Sequence, residues 1–329
     1  MRSLVLTAPG QMGVADGLPA PVCGPGEVLI SINAVGLCGT DLGYFSGYRT
    51  PPTTPWVLGH EAVGWIVAVG DDVAPSRIGE RVVIEPNYPC GDCDPCQKSS
   101  PALCTERVSL ALTSPGLLSE LVAVPSEFAW ELPEGVTDEA AVCIEPLAVA
   151  MAAVRRADIR AEDDSILVVG AGAQGLLVAE VLRAMGRRVV VVDPHEARLR
   201  LAVTLGAESA PADELFSVVF ETSGSAAGGT SAIEAAAPGG RIVVVGVGDQ
   251  PVQLDNRILV RRGLTIIGSM IYDHPHDFAT TIAAVAGGIV HPERVLGRAF
   301  SFDNGAAAFS SAPEAVGKTW IKLVGVVLE

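Results

Sequence analysis

Three short stretches carry side chains able to hold a metal ion: Cys38-Gly39-Thr40-Asp41, Gly59-His60-Glu61 and Ile144-Glu145-Pro146-Leu147. Together they offer one thiolate, one imidazole and carboxylates from separate parts of the chain, a mixed set that can bind zinc and leave a coordination position open. An open position allows chemistry, because the ion can polarise an oxygen of a bound molecule. Singly, each residue is ambiguous: a lone Cys38 is usually a buried apolar residue, and a lone His60 is usually just hydrogen-bonded. Cys143, two residues before Glu145, competes with it for the metal, although its neighbours better suit the core of a strand or helix.

A second cluster has a different character. Cys90, Cys93, Cys96 and Cys104 are separated by two, two and seven residues, so a single loop can fold them into a tetrahedral sulfur cage. Four thiolates close the coordination sphere, which makes such a site structural; zinc held this way supplies roughly 10 to 16 kcal/mol of apparent binding energy. The rival cargo is an iron–sulfur cluster, but the last gap is longer than in the bacterial ferredoxin run. Metal-free thiols are a poor alternative, since four would crowd into one polar loop. The chain has seven cysteines, an odd number bunched rather than spread, which favours metal binding in a reducing compartment over a disulfide framework.

Gly170-Ala171-Gly172-Ala173-Gln174-Gly175 directly follows the apolar run 166–169 and opens a helical stretch. In that context Gly170 permits a tight turn, Gly172 lets the backbone approach a pyrophosphate, and Gly175 allows helix and strand to pack closely. A second apolar run, 189–192, ends in Asp193, placed to accept hydrogen bonds from an adenosine ribose. A ribose 2′-phosphate about 4 Å from that carboxylate would be repelled by roughly 4 kcal/mol, near a thousandfold in affinity, so NAD is expected over NADP. Arg198 nearby softens that rejection.

These residues need elements to position them, and the chain's texture supplies two kinds. At 329 residues two domains are the natural prior. Before about Pro146 the sequence is rich in Gly and Pro, with short alternating runs at 27–33 and 62–69, and reads as mainly β. From Ser165 apolar strands at 166–169, 189–192, 218–220 and 242–245 alternate with Ala-rich helical stretches, the pattern of an α/β fold with a doubly wound parallel sheet. Near Ile289 the rhythm changes, and the strand-like tail 321–328 is expected to pair with the first domain. The net charge of −16, from 22 Lys+Arg against 38 Asp+Glu, argues against nucleic acid and membrane partners. The first apolar run reaches Pro9-Gly10 before a signal-peptide core forms, and the longest, 166–182, is broken by glycines. A cytoplasmic location is the expectation.

The set as a whole resembles the zinc-containing medium-chain alcohol and polyol dehydrogenases, nearly end to end. The resemblance rests on the Cys38-Gly39-Thr40-Asp41 box, the Gly59-His60-Glu61 box with Gly64 and Gly70, the turn Gly79-Glu80-Arg81-Val82, the cysteine lobe, Glu145-Pro146-Leu147 and the glycine fingerprint. It implies a GroES-like mainly-β catalytic domain over 1–147 with a zinc lobe at 86–105, a Rossmann NAD-binding domain over 148–288, and a return to the catalytic domain over 289–329. It further implies that Cys38 and His60 are catalytic zinc ligands, that Glu145 binds directly or through water, and that Glu61 can approach the metal. Asp41 would hydrogen-bond the far nitrogen of His60, and Thr40 would take or hand on the substrate proton. Glu145-Pro146-Leu147 resembles the sorbitol, xylitol, glucose and threonine dehydrogenase branch, which implies polyols, sugars, cyclitols or amino alcohols as substrates. Many relatives carry a proton-relay histidine where this chain has Gly43, so the proton is expected to leave through Thr40, the cofactor ribose and water, or through Glu61.

The cofactors implied are one catalytic and one structural zinc plus NAD, and the assembly is a homodimer or homotetramer joined through the edge run 265–270. Specificity is expected from Tyr44, Phe45, Tyr48, Arg49 and Trp56 and from the segment 272–276, on the loop's position alone; packing against the zinc lobe is the equal alternative for the aromatic residues. The competing reading is a catalytically silent NAD-binding regulatory or scaffold protein with the same fold.

Overall fold

The computed structural model describes residues 1–209 and 214–323 of the chain. Two compact units are present, one formed by Met1–Glu145 with Leu296–Glu329 and the other by Pro146–Val295.

The first unit is organised around the strand Glu27–Gly36, whose Val28, Ile30, Ile32 and Val35 have no exposed surface. Its β-branched residues suit a pleated surface buried on both faces. This hub pairs antiparallel with Glu61–Val69, from Val28 opposite Val69 to Gly36 opposite Glu61, with two register slips that bend the pair. Arg81–Ile84 and Ala129–Glu131 extend the sheet beyond Glu61–Val69, and Leu121–Pro125 adds to the hub. On the hub's other side lies Lys318–Lys322, antiparallel with Trp320 opposite Gly36, and then Leu296–Ser301. The sequence reading started this last strand at Ile321, whereas it begins at Lys318. Lys318 and Thr319 are both buried, so two polar side chains hid the start of a core strand. The remainder of the expected run, 324–328, lies outside the described residues.

The second unit is a six-stranded parallel sheet. In chain order its strands are Ser165–Val169, Arg188–Val192, Glu208–Ser209, Phe216–Glu221, Ala236–Val244 and Thr265–Gly268. Their spatial order is 3-2-1-4-5-6, a doubly wound sheet that reverses between the first and fourth strands. The helices Ala173–Ala184, Glu196–Thr204, Ala226–Ala235 and His276–Ala286 connect or follow these strands. The fifth strand starts six residues before the apolar run that announced it, because Pro238-Gly239-Gly240 reads as a turn while Ala236 still pairs with Phe216. Among the described residues no helix is long and apolar enough to cross a membrane.

One close approach decides how the first sheet holds together. A Cβ at Gly64 would lie 2.2 Å from the carbonyl oxygen of Ser31 on the hub strand, a backbone atom that cannot step aside without breaking the pairing. Gly64→Ala is therefore expected to lower unfolding stability by about 3 kcal/mol, the upper part of the overpacking range. Urea denaturation measures it, and a loss below about 0.5 kcal/mol, the ordinary surface-mutation range, would contradict this account.

Candidate active site

Cys38 follows the hub strand and N-caps the helix Gly39–Phe45. Three residues into the box, Asp41 turns back: its Oδ2 accepts the Cys38 amide at 3.0 Å, and its Oδ1 accepts the Gly59 amide at 2.9 Å. The same Oδ1 faces His60 Nδ1 at 3.5 Å. That is longer than an ordinary N–H···O bond of about 2.7–3.2 Å, so the contact is an electrostatic approach rather than the full hydrogen bond that the resemblance implied. One wholly buried carboxylate thus ties together the two segments that carry the sulfur and the imidazole. Glu61 opens the strand Glu61–Val69 directly after His60. Ligand atoms of Cys38, His60 and Glu61 all lie within 4.8 Å of one another.

The charges around this trio favour a cation among them. Burial works against protonating His60, yet the Asp41 carboxylate and the Cys38 sulfur hold its pKa well above the ordinary histidine value. Burial likewise opposes ionisation of Asp41, and His60 with the two backbone amides still holds its carboxyl below the usual range. A thiolate, an imidazole and a carboxylate at these separations suit one zinc ion with bonds of about 2.0–2.3 Å, reached by small side-chain rotations.

Glu145 stands outside the trio. It is buried in the first turn of the helix Ile144–Arg156, where burial pushes its carboxyl up to about 7. His60 and Lys318 oppose that rise, while Glu61 and Glu85 add to it. Thr40 occupies the same turn as Asp41 and is half-buried. At Gly43 a side chain would meet Arg49 and Tyr48 at 3.3 and 3.4 Å, so those residues fill the room of the missing relay histidine.

Lys318 was not visible to sequence reasoning. Its ammonium is paired with Glu61 Oε2 and donates to the Leu37 carbonyl at 3.1 Å, and both charged side chains are only 1% exposed. Burial works against its charge, but Glu61, Cys38 and Cys143 outweigh it and raise its pKa. A lysine two residues from a tryptophan in a short strand carries no signal that separates it from an exposed one.

Most residues expected to shape the substrate pocket are core instead. Tyr44 and Trp56 are buried, with Trp56 Nε1 donating to the Ala111 carbonyl at 2.8 Å. Phe45 packs on Phe309 at 5.5 Å, and Tyr272, 1% exposed, packs on Phe278 at 5.4 Å. Tyr48 remains half-exposed with the Arg49 guanidinium over its ring.

The cysteine lobe gathers all four sulfurs. Cys93 and Cys96 are 3.5 Å apart and Cys104 and Cys90 are 3.6 Å apart, close to the ~3.7 Å that tetrahedral zinc with bonds of about 2.3 Å imposes. Amides of Cys90 and Cys93 point at the sulfurs of Cys104 and Cys90. Backbone hydrogen bonds from Cys96 and Thr105 lower the Cys93 thiol, whereas burial and the facing Cys93 raise Cys96, so full ionisation calls for a compensating cation.

In the second unit the glycine turn has the shape that a dinucleotide requires. A Cβ at Gly175 would strike the Gly170 carbonyl oxygen at 1.9 Å, so the helix Ala173–Ala184 can sit this close to the turn only with glycine there. A Cβ at Gly172 would meet only open space, and no side chain caps the helix there, which leaves room and amide donors for an anion. Asp193 accepts the Ala171 amide through Oδ2 and the His195 amide through Oδ1, both at 2.7 Å. Gln174 donates to the Pro146 carbonyl at 3.2 Å, and Arg198 lies half-buried in the helix Glu196–Thr204.

The comparisons with known proteins agree with these shapes. Residues 24–134 match the alcohol dehydrogenase GroES-like domain, and residues 173–287 match the zinc-binding dehydrogenase family. The starvation-sensing protein RspB of Escherichia coli K12 is 32% identical over 326 residues, covering 94% of this chain and 95% of that protein. The L-threonine 3-dehydrogenase of Idiomarina loihiensis is 33% identical over 268 residues, covering 75% of this chain and 78% of the enzyme. A crystal structure of RspB from E. coli CFT073, described as a short chain alcohol dehydrogenase complexed with NADH, superposes with a TM-score of 0.90 at 28% identity and covers 98% of this chain and 99% of that one. The chain belongs to the zinc-type medium-chain dehydrogenase/reductase superfamily and is related to its sorbitol, threonine and polyol dehydrogenase branch. It is a zinc-dependent oxidoreductase of the alcohol and polyol dehydrogenase kind, linked to NAD.

Metal analysis separates the two clusters. Prepared without chelators, the chain should carry about two zinc ions; Cys93→Ser should lower this to about one, with new protease cleavage near 90–104, and Cys38→Ser should lower it to about one with the lobe intact. Two ions retained in either variant would remove that cluster from the metal sites.

Proposed function

We propose that this chain oxidises a secondary hydroxyl of a polyol, sugar, cyclitol or amino alcohol with NAD, using Cys38, His60 and Glu61 or Glu145 around one zinc and Cys90, Cys93, Cys96 and Cys104 around another. The observation that carries the reading is the convergence of Cys38, His60 and Glu61 within 4.8 Å, held by Asp41 from two directions. Zinc bound there supplies Lewis acidity to the substrate oxygen, and NAD supplies the hydride acceptor.

The chain's own residues do the rest. Asp41 fixes the spacing of Cys38 and His60 and holds the imidazole by charge, so that its other ring nitrogen is the one available to a metal. Glu61 is fully buried and engaged by Lys318, which makes it a poor exit for a proton bound for solvent. Thr40, half-buried beside Cys38 in the chain, is the better carrier: its hydroxyl can accept the substrate proton and pass on its own. Asp193 and the glycine turn hold the adenosine end of the cofactor, and the fixed carboxylate charge disfavours a 2′-phosphate. The polar substrate class is supported by the glutamate at 145 and by relatives such as the threonine dehydrogenase. A cytoplasmic location fits a chain in which no disulfide joins the cysteines among the described residues.

The assembly we propose is a homodimer or a homotetramer built from such dimers. Among the described residues Thr265–Gly268 is the outermost strand of its sheet and has no partner on its outer side, with Ile266 42% and nearby Met270 44% exposed, and a parallel edge of this kind suits pairing with a second copy. Light scattering should give at least twice the 33.9 kDa chain mass, and Ile266→Lys should shift it toward monomer; a wild-type monomer at micromolar concentration would refute the assembly.

A panel of polyols, sugars, cyclitols and amino alcohols with NAD and NADP, read as absorbance of reduced nicotinamide, tests the reaction. Turnover is expected with at least one member, with NAD preferred over NADP by about a hundredfold or more in kcat/KM. Thr40→Val should lower kcat by about a hundredfold, the lower range for a general acid–base group, while zinc content stays unchanged. Full zinc and tight NADH binding without turnover across the panel would favour a silent NAD-binding protein instead.

A further inference from the structure

Two adjacent arginines at the end of the helix Ile144–Arg156 grip one turn of the second unit. The Arg156 guanidinium donates to Ser269 Oγ at 3.0 Å, to the carbonyls of Met270 and Ile271, and to Asp273 Oδ2 at 3.1 Å. Arg155 clasps Asp277 with both branches, at 3.0 and 2.6 Å, and reaches Asp273 Oδ2 at 2.8 Å. The two aspartates are themselves linked, the Asp273 amide donating to Asp277 Oδ2 at 2.8 Å and the Asp277 amide to the Asp273 carbonyl at 3.0 Å. Between them the arginines hold Ser269, Asp273 and Asp277 by side chain and Met270 and Ile271 by backbone carbonyl. The bonds to Asp273 and Asp277 are charge-assisted, among the stronger hydrogen bonds in proteins, and Ser269 and Asp277 are buried.

The position of this turn gives the grip a purpose. In a doubly wound sheet each half receives one mononucleotide at the carboxyl ends of its strands. Asp193, at the carboxyl end of the second strand, marks strands one to three as the adenosine half. The nicotinamide half therefore falls to strands four to six, and residues 269–271 are the first beyond the carboxyl end of the sixth strand, Thr265–Gly268. Helix and strand ends of this kind normally fray, yet this one is clamped by a guanidinium that spans three consecutive residues.

We propose that Arg155 and Arg156 are positioning residues for the nicotinamide half of the cofactor, acting through the turn 269–277 rather than by touching the dinucleotide. The proposal rests on the NAD reading. Arg156 sets the backbone of 269–271, and Arg155 with Asp277 anchors the far end of the turn at the start of the helix His276–Ala286. Only a forked, planar cation can serve the several acceptors at once; a lysine ammonium on the same stem would reach some of them but not span the turn.

The test compares two ligands that differ only beyond the pyrophosphate: NADH, and ADP-ribose, which lacks nicotinamide. Both are titrated calorimetrically into the intact chain. For Arg156→Gln we expect NADH affinity to fall by about tenfold or more, as loss of charge-assisted bonds would produce, while ADP-ribose affinity stays within about twofold. Arg155→Gln should show the same pattern more weakly. Arg156→Lys, the variant most certain to fold, should recover only part of the NADH affinity. Equal weakening of both ligands would mean a general structural role and overturn the proposal, as would unchanged NADH affinity in Arg156→Gln or complete recovery in Arg156→Lys. A wild-type chain that binds neither ligand would refute the dinucleotide reading itself, and the clamp with it.

Discussion

A single buried charge organises the first unit. Asp41 has no exposed surface, and removing a carboxylate from water costs several kcal/mol unless hydrogen bonds and an opposite charge offset it. Here the offset comes from two backbone amides and His60, and those partners belong to the segments that present Cys38 and His60. The sheet pairing places Glu61 opposite Gly36, at the end of the hub strand just before Cys38, so the fold brings the segments near one another and Asp41 sets their final spacing. Fold and site therefore depend on each other: without the hub strand Asp41 has nothing to tie, and without Asp41 the ends of two strands have no reason to hold a sulfur beside an imidazole.

The Glu61–Lys318 pair adds a second condition. A fully buried ion pair is weak evidence for stability, because desolvation consumes most of the attraction, but it strongly constrains where each partner can go. Lys318 belongs to a strand from the far end of the chain, laid antiparallel against the hub. The C-terminal segment thereby contributes a charge to the metal site as well as a strand to the sheet. Glu145 experiences the same field, its carboxyl raised by burial and by Glu61 and Glu85. Four buried carboxyl groups, Asp41, Glu61, Glu85 and Glu145, share this region with one lysine and one imidazole, a setting that a divalent cation would balance.

Much of this was legible in the sequence, for reasons that differ by element. The four-cysteine lobe could be read because its spacing suits a cage within one loop, and the glycine turn because its spacing falls between an apolar strand and a helical stretch and is followed by Asp193. The parallel strands could be read because burial on both faces demands unbroken apolar runs. What stayed hidden was polar and buried at once. Lys318 and Thr319 concealed the start of a core strand, since a sequence shows charge but not the partner that permits its burial. The aromatics Tyr44, Phe45, Trp56 and Tyr272 misled in the opposite sense: in a loop they suggested a pocket lining, but large apolar rings are usually worth more to the core than to a surface. Glu145 was expected to bind the metal directly or through water, and its place outside the trio depends on a helix start that no local pattern fixes.

Asp193 shows how one side chain can serve fold and selectivity together. The sequence suggested a carboxylate waiting for a ribose, yet both of its oxygens already accept amides, one from the glycine turn and one from the start of the next helix. Each carboxylate oxygen has a second lone pair, so these bonds do not exhaust its capacity to accept from ribose hydroxyls. They do remove its freedom to rotate away. A mobile aspartate could yield to a 2′-phosphate and let Arg198 neutralise the intruder, whereas a carboxylate pinned from two sides keeps its charge in place. The repulsion estimated from charge alone, roughly 4 kcal/mol at about 4 Å, is therefore closer to what a phosphate would meet here than it would be for a free side chain. The expected preference for NAD would rest on the rigidity of the turn as much as on the acidity of the residue, and that rigidity comes from the Ala171 amide, inside the glycine loop proposed to cradle the pyrophosphate, together with the His195 amide.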